Sequence, residues 1–106
     1  MSELDLAAYI SDQREWSQRT FGEGQRTVGI TEHIRKELAE IVAHPDDVTE
    51  WIDVVILALD GAWRHGASPE QIVKALLDKQ RTNFARCWQP VVDENTPSEH
   101  VREVHP

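Results

Sequence analysis

The stretch that decides the fold runs from residue 31 to residue 66 and reads TEHIRKELAEIVAHPDDVTEWIDVVILALDGAWRHG. It contains two short acidic motifs, ELAE from Glu37 to Glu40 and EWID from Glu50 to Asp53. Side chains three residues apart lie one turn apart on the same face of a helix. If both motifs are helical, each pair of carboxylates can therefore point at one spot.

The chain offers few cations near these acids. Between Lys36 and Arg64 it has seven acidic residues and no lysine or arginine. From Val48 to Trp63 a helix would be apolar on almost every side, which predicts burial on most of its faces. A carboxylate in such surroundings is costly unless a cation, a hydrogen-bond donor or a proton meets it. We therefore expect a hard divalent cation such as Mg²⁺, which takes oxygen ligands, between the two helices.

Length, charge and cysteine content bound the class of protein. A chain of 106 residues supports one modest core, as one domain or one subunit of an assembly. Its net charge of −8 argues against nucleic-acid or anionic-membrane binding through a basic surface. The single cysteine, Cys87, cannot form an internal disulfide, and we predict a packing role for it. With no signal-peptide pattern and no long apolar span, we expect a soluble, cytoplasmic protein.

Apolar periodicity and capping signals predict an all-α fold of about four helices, with no strand pattern. The first helix is expected over residues 3–19, followed by a mobile, glycine-containing loop from Phe21 to Arg26. The other three are expected to begin at the N-caps Thr31, Asp47 and Ser68, the last with a capping box closed by Gln71. Core-facing apolar stripes are expected on the second and fourth helices, at Ile34, Leu38, Ile41 and Val42, and at Ile72, Val73, Leu76 and Leu77.

Two acids have alternative interpretations that require no metal. Glu50 follows Asp47 by three residues and could reach back as the second member of a capping box. Asp60 is one turn before Arg64, and we expect those two side chains to pair. The five histidines match no HExxH pattern and form no Glu-x-x-His pair, which argues against a redox carboxylate bundle.

The end of the fourth helix carries a basic and amide stripe. Lys79, Asn83 and Arg86 recur at spacings of four and three and therefore share one face. Such a face suits a metal-bound polyphosphate, although cations near a helix C-terminus are also common on solvated ends. Residues 89–106 contain three prolines and no periodicity, so we predict a domain over residues 1–88 and a flexible tail over 89–106. Burial is expected to be completed by self-association into a dimer or tetramer.

The order of these motifs resembles a known family. ExxE, then ExxD on the next helix, then a Lys/Asn/Arg face is similar to the MazG-like all-α nucleoside triphosphate pyrophosphohydrolases. The runs at Phe21-Gly22, 33–40, 50–64 and 79–83 resemble its phage-borne branch, which includes MazZ-type enzymes that hydrolyse dATP and dGTP in phages that replace adenine with 2-aminoadenine. The likeness covers roughly residues 5–88. One departure is Lys36, where many members carry a second glutamate.

The resemblance implies hydrolysis of a nucleoside triphosphate to the monophosphate and pyrophosphate, by attack of water on the α-phosphorus. It implies Mg²⁺ or Mn²⁺ as cofactor and assigns metal-binding and catalytic roles to Glu37, Glu40, Glu50 and Asp53. Glu37 is our choice for the residue that also orients or deprotonates the water. The remaining roles are phosphate and sugar binding by Lys79, Asn83 and Arg86, and base stacking by Trp16 and Phe21, unless these two aromatic residues belong to the core.

Three functions therefore compete. The first is a metal-dependent pyrophosphohydrolase of purine deoxynucleotides that acts in phage nucleotide-pool remodelling of the 2-aminoadenine pathway type. A second is a broader house-cleaning hydrolase of non-standard or pyrimidine nucleotides, which only the base pocket would distinguish from the first. The third is a non-catalytic helical interaction module. Retention of both acidic motifs argues against the third, because a degenerate relative is expected to lose its buried acids first.

Overall fold

The computed structural model describes residues 4–91 and 93–101. Over these ranges the chain forms four helices and no strand, which confirms the all-α prediction. The helices are α1 (Leu6–Phe21), α2 (Thr27–Ala43), α3 (Val48–Arg64) and α4 (Pro69–Ala85). Two compact units, Met1–Lys74 and Ala75–Pro106, divide the chain within α4, and each is described by itself. None of the described helices has the length and apolar character needed to cross a membrane.

The first helix and its loop differ from the prediction at both ends. Asp5 caps α1 by accepting a hydrogen bond from the Ala8 amide at 3.1 Å; the predicted start at residue 3 lies outside the described residues. The prediction that Phe21 belongs to the loop was wrong, because Phe21 is the last residue of α1. The loop itself turns through Gly22 and Gly24, whose φ angles of 84° and 111° favour glycine.

The start of α2 corrects the prediction of an N-cap at Thr31. The helix begins one turn earlier, at Thr27, and the Thr31 hydroxyl instead donates back to the Thr27 carbonyl at 2.9 Å. This earlier start brings Ile30, which is only 5% exposed, into the helix. Ile30 packs against α3 at Gly61. A Cβ atom added at Gly61 would lie 3.8 Å from the Cγ2 atom of Ile30. The burial of Ile30 against Gly61 thus favours a start of α2 before Thr31, the N-cap that the sequence pattern predicts.

The ends of α3 follow local sequence chemistry. Asp47 is the N-cap, and its carboxylate accepts from the Thr49 amide at 3.0 Å. At the other end Gly66 has a φ of 101°, and its amide donates to the Trp63 carbonyl at 3.0 Å. The Ala67 amide reaches the Ala62 carbonyl at 3.4 Å, which completes a Schellman motif. The prediction that Gly66 ends this helix is therefore confirmed.

The capping box predicted for α4 is present. The Ser68 hydroxyl accepts from the Gln71 amide at 3.1 Å, and the Gln71 side chain accepts from the Ser68 amide at 2.8 Å. This box directs the first turns of α4 back over the core of the first unit. That core is built on Ile10, Trp63 and Ile72, from three different helices. α1 and α2 each pack against α3, which is the central helix of the unit.

Much of the apolar surface predicted to be buried is exposed in the single chain. In α3, Val48 is 68% exposed and Trp51 is 51% exposed, so the predicted burial on most faces was wrong for one copy of the chain. On α2, Ile41 is buried, but Leu38 and Val42 of the predicted stripe are exposed. Three helices do not offer enough surface to cover every apolar side chain on the central one.

The second unit contains the end of α4 and a short paired segment. The Trp88 indole donates to the Asn83 carbonyl at 2.9 Å, and an isolated antiparallel bridge pairs Trp88 with His100. Their rings meet edge to face with centroids 5.7 Å apart. Flexibility of residues 89–106 stays a prediction, and residues 92 and 102–106 lie outside the described part.

Two further predictions in the second unit concern burial. Cys87 is exposed, so the packing role predicted for it was wrong. Leu76 and Leu77 of α4 are also exposed, whereas Ile72 and Val73 in the first unit join the core as predicted. In the described part of the chain, only the first turns of the apolar stripe on α4 therefore contact the core.

Candidate active site

Three of the four predicted acidic residues converge between α2 and α3. Glu37, Glu50 and Asp53 each offer a carboxylate oxygen that lies within 4.8 Å of the other two. Oxygens on opposite sides of a Mg²⁺ ion are roughly 4 Å apart, given ligand distances of about 2.1 Å. One ion could therefore be shared by all three carboxylates after small side-chain movements. The helices bring these residues together because α2 and α3 are antiparallel neighbours joined by a short turn.

The electrostatics of this group are unfavourable without a cation. Partial burial raises the pKa of Glu50, and the negative charges of Asp47, Glu40, Asp53 and Glu37 raise it further. None of the described residues forms an ion pair with Glu50. Its carboxylate also makes no hydrogen bond back to the Asp47 amide in the described part of the chain, so the capping-box alternative for Glu50 was wrong. Asp47 caps α3 alone.

The fourth predicted ligand, Glu40, lies beside the group. It is half-buried on α2 and contributes negative charge at Glu50, but it is not one of the three carboxylates that meet. Glu40 is one turn beyond Glu37 on α2. A role for Glu40 in holding a metal stays a prediction.

His33 is a neighbour of the group that the sequence reasoning did not assign to it. Its Nε2 atom lies 3.2 Å from a carboxylate oxygen of Glu37, one helical turn away. The His33 side chain is about half exposed, whereas that of Glu37 is only 13% exposed. The spacing of four residues on α2 was a readable signal for this contact. His33 can therefore fix the orientation of Glu37.

A pocket of about 220 Å³ opens beside the carboxylates, within the first unit. Its walls come from three helices and include Gln13, Trp16, Phe21, His33, Glu37, Asp53 and Asp60. Trp16 and Phe21 are each about half exposed and meet edge to face, with ring centroids 5.6 Å apart. The guanidinium carbon of Arg26 lies 5.1 Å from the Phe21 ring centroid. These two aromatic residues are thus not core residues, because about half of each side chain is exposed.

Behind the pocket, a buried arginine holds the end of α1 against α3. Arg64 forms a buried ion pair with Asp60, as predicted from their spacing. The same guanidinium donates to the Ser17 hydroxyl at 2.9 Å and to the Gly22 and Gly24 carbonyls at 2.8 and 3.0 Å. The Ser17 hydroxyl in turn donates to Asp60 at 2.5 Å. Each carboxylate oxygen of Asp60 therefore has a partner within the protein.

The predicted phosphate-binding residues belong to the second unit. Lys79 is exposed on α4, and Asn83 and Arg86 are half-buried. Lys79 and Asn83 lie one turn apart on α4, whereas Arg86 follows the last residue of the helix, Ala85, and its amide donates to the Thr82 carbonyl at 3.2 Å. Their roles toward phosphate and sugar stay predictions.

Sequence reasoning missed Gln13 and Arg64 as residues of this site. The signal for Gln13 was present, since it interrupts the buried line of α1 between Ile10 and Ser17. A polar residue on a buried face requires a partner. Arg64 was expected to end α3 and to pair with Asp60, but its contacts with the α1–α2 loop depend on how α1 docks, which no local pattern reports.

Comparisons with known proteins give a family and a relative for this chain. A family model described as dATP/dGTP pyrophosphohydrolase matches residues 9–106. The Eaa protein of Salmonella phage P22 is 37% identical over 93 residues, which are 87% of this chain and 28% of that relative. The chain thus spans less than a third of the relative's length. No solved structure matches the chain.

The family match covers α1 from residue 9 onward, α2, α3, α4 and the segment after α4, beyond residue 88 where the resemblance in the sequence motifs ended. It includes both acidic motifs, the aromatic pair and the pocket between them. Because nearly the whole chain is matched, the family predicted from the motifs is confirmed: the chain belongs to the dATP/dGTP pyrophosphohydrolase family, a family of nucleoside triphosphate pyrophosphohydrolases.

Proposed function

We propose that this chain hydrolyses dATP and dGTP to the nucleoside monophosphate and pyrophosphate. The observation that carries the proposal is the meeting of Glu37, Glu50 and Asp53 at the edge of a pocket with two exposed aromatic rings. Acidic ligands for a metal and faces for a base are the two features that a nucleotide hydrolase needs side by side. Family membership supports the choice of purine deoxynucleotides.

We further propose that Mg²⁺ or Mn²⁺ is the cofactor. The donor set fits, because three carboxylate oxygens within 4.8 Å suit a hard divalent ion and repel one another without it. When bound, such an ion supplies charge neutralisation for the phosphate chain and lowers the pKa of a water molecule. Glu37, Glu50 and Asp53 would hold it, and Glu40 would complete the ligands or orient them through hydrogen bonds.

The chain's own residues would perform the remaining steps. Glu37, which lies 3.2 Å from His33, would accept a proton from the attacking water. Trp16 and Phe21 would stack on the base, and Arg26 beside Phe21 adds positive charge at the same edge. Lys79 and Arg86 would contact phosphate oxygens, and Asn83 the sugar or a phosphate.

A product analysis tests the reaction class. Purified protein is incubated with each of dATP, dGTP, dCTP and dTTP in the presence of Mg²⁺ or Mn²⁺, and products are separated by ion-exchange chromatography. We expect monophosphate and pyrophosphate from the two purine nucleotides. Diphosphate with inorganic phosphate would show attack at the γ-position and contradict the proposal. Equal turnover of pyrimidine nucleotides would favour the house-cleaning alternative, and no product would favour the interaction module.

Metal binding can be measured apart from turnover. A ligand that binds only the folded state raises the melting temperature, so Mg²⁺ or Mn²⁺ should raise it and EDTA should reverse the shift. Because Glu50 belongs to the converging trio and Glu40 does not, Glu50→Gln should abolish most of the shift and Glu40→Gln should retain part of it. A wild-type protein that shows no shift in millimolar metal would contradict the proposed cofactor.

The similarity to a phage protein leads to a proposal for the cellular role. We propose that the chain lowers dATP and dGTP during phage infection, as in the 2-aminoadenine pathway. The test is to express the chain, or its Glu50→Gln variant, in a bacterial host and to measure deoxynucleotide pools by mass spectrometry. We expect the dATP and dGTP pools to fall with the wild-type chain and to stay unchanged with the Glu50→Gln variant. Unchanged pools with the wild-type chain would contradict this role.

A further inference from the structure

The base pocket contains one buried polar atom without a partner. Gln13 lies on the inner face of α1, one turn before Trp16 and Ser17, and its Oε1 atom is buried. Among the described residues no N–H or O–H group donates a hydrogen bond to this atom. A buried amide oxygen without a donor is destabilising, and native proteins rarely keep one without a reason.

The surroundings of Gln13 indicate what the missing donor is. Trp16 and Phe21 from the same helix line the pocket, and so do Glu37 and Asp53 across it. The carboxylates are acceptors when ionised and cannot donate to Gln13. Other polar groups of the chain nearby have different partners: the Ser17 hydroxyl is bound to Asp60, the Arg64 guanidinium is engaged by Ser17, Gly22 and Gly24, and the His33 Nε2 atom lies beside Glu37. Because no described group donates to Gln13 Oε1, a bound ligand can supply the donor.

The size of the pocket restricts the ligand that can bring this donor. A volume of about 220 Å³ is below the roughly 300–1,000 Å³ of sites that enclose whole drug-sized ligands. It suits one flat ring system, with the rest of the molecule outside. The hydrogen-bond donors of a flat ring lie on its edge and not on its face. The atom that meets Gln13 is then an N–H on the edge of the base.

We propose that Gln13 is the base-recognition residue of this site and that its Oε1 accepts a hydrogen bond from an N–H on the pyrimidine-ring edge of the purine. Adenine offers its 6-amino group there, and guanine offers its 2-amino group and N1–H. One acceptor thus serves both purines of the proposed substrates. This inference rests on the proposed function for the identity of the ligand, and it adds the residue that reads the base.

The test uses an analogue that keeps the ring and lacks the donor. The triphosphate of 2′-deoxypurine riboside has the purine ring system without an exocyclic amino group or an N–H on the six-membered ring. A site built to hydrogen-bond a substrate rejects the analogue that lacks the group. We expect kcat/KM of the wild-type chain to be about tenfold or more lower for this analogue than for dATP.

Gln13→Leu removes the acceptor and keeps the approximate volume. In this variant we expect kcat/KM for dATP to fall about tenfold or more and the ratio between dATP and the analogue to approach one. Gln13→Met is a second variant of similar volume in case the first does not fold, and circular dichroism melting checks both. The matched control is Gln18→Leu, the same change on α1 at a residue that does not line this pocket, and it should keep the wild-type ratio.

Three outcomes would overturn the inference. They are a wild-type chain that does not distinguish the two nucleotides, a Gln13→Leu variant that keeps the wild-type ratio, and equal losses for both nucleotides, which would indicate a packing role. Failure of the proposed hydrolysis is recognised separately, as no pyrophosphate from any nucleotide. In that case equilibrium dialysis of the same two nucleotides against the wild-type and Gln13→Leu chains measures the contact, and equal affinities would refute it.

Discussion

At the scale of single residues, Glu50 shows the cost of assembling acidic groups. Its pKa is raised by partial burial and by the charges of its neighbours, so the folded chain disfavours the ionised form. For a carboxyl group with a raised folded-state pKa, stability is highest below the unfolded pKa and falls as the pH rises through the folded pKa. The free-energy cost of ionised Glu50 is then fully present at neutral pH, where its carboxylate would bind the cation.

Glu50→Gln should therefore separate stability from activity. Without metal, we expect a melting temperature equal to or above that of the wild type at neutral pH, and a difference that disappears well below the ordinary glutamate pKa of 4.5. Turnover should be abolished with unchanged helical content. Melting followed by circular dichroism at both pH values, and initial rates, are the measurements. Glu23→Gln, at an exposed loop position, is the control; a fully active Glu50→Gln would remove Glu50 from the ligands.

The residues of the site were readable from the sequence to different degrees. The trio Glu37, Glu50 and Asp53 follows from helix periodicity, because each motif fixes a face and a short turn makes the helices antiparallel. Gln13 could be flagged as a polar residue on a buried line, but not assigned to the pocket. Its neighbours belong to helices that are distant in sequence, and only the docking of α1 on α3 brings them together.

At the scale of elements, Arg64 connects the end of α3 to the α1–α2 loop. Removing one member of a buried ion pair leaves the other charge uncompensated, at a cost of about 3–5 kcal/mol. We expect Arg64→Met to lower the free energy of unfolding by about this amount, measured by urea denaturation. The double variant Arg64→Met with Asp60→Leu should lose less than the sum of the single variants.

A suitable control for Arg64 is another arginine that pairs on its own helix. Arg35→Met breaks an exposed contact with Glu32 at 3.7 Å and should change the stability little. If Arg64→Met lowers the free energy of unfolding as little as Arg35→Met does, the hydrogen bonds from Arg64 to the Gly22 and Gly24 carbonyls do not hold the loop.

Local chemistry and tertiary packing explain which helix ends could be predicted. The caps at Asp47 and Ser68 depend on side chains within three residues, so their signals are complete in the sequence. Thr31 carried the same kind of signal, yet the helix starts at Thr27. There the burial of Ile30 against α3 outweighs a cap, and this contact spans about thirty residues of the chain.

The segment after α4 leads to a prediction for truncation. The carboxylate trio, the aromatic pair and the base pocket all lie within Met1–Lys74. Removal of residues 91–106 is therefore expected to leave initial rates of dATP and dGTP hydrolysis intact. Loss of activity in a truncated chain that keeps its helical content would mean that the removed segment contributes to the site.

At the scale of the whole molecule, exposed apolar side chains on α2 and α3 predict self-association. Leu38, Val42, Val48, Trp51 and Val55 are all half or more exposed in the single chain. We expect a dimer or tetramer by analytical ultracentrifugation, and a shift toward monomer in Val55→Glu, because a charge at a buried interface is costly. Leu4→Glu, the same type of change before α1, should not shift it. A wild-type monomer at tens of micromolar would contradict the prediction.

Periodicity predicted the apolar faces of these helices correctly and their burial incorrectly. A pattern reports that one side of a helix is apolar, and it does not report what covers that side. In α3 the side chains of Trp63 and Leu59 are covered within the chain, whereas Val48 and Trp51 near the other end are not. The number of copies in the assembly is thus the part of the fold that sequence reasoning could only propose.

The contacts of Arg64 also constrain the order in which the chain can fold. The carbonyls of Gly22 and Gly24 receive their hydrogen bonds from a side chain about forty residues later. During synthesis, the loop beside the base pocket therefore cannot reach its final form until α3 has left the ribosome. In the mature chain the loop and the end of α3 should open as one unit. Hydrogen exchange should then show matched protection at the amides of Gly22, at the start of the loop, and Arg64, and independent opening would contradict this coupling.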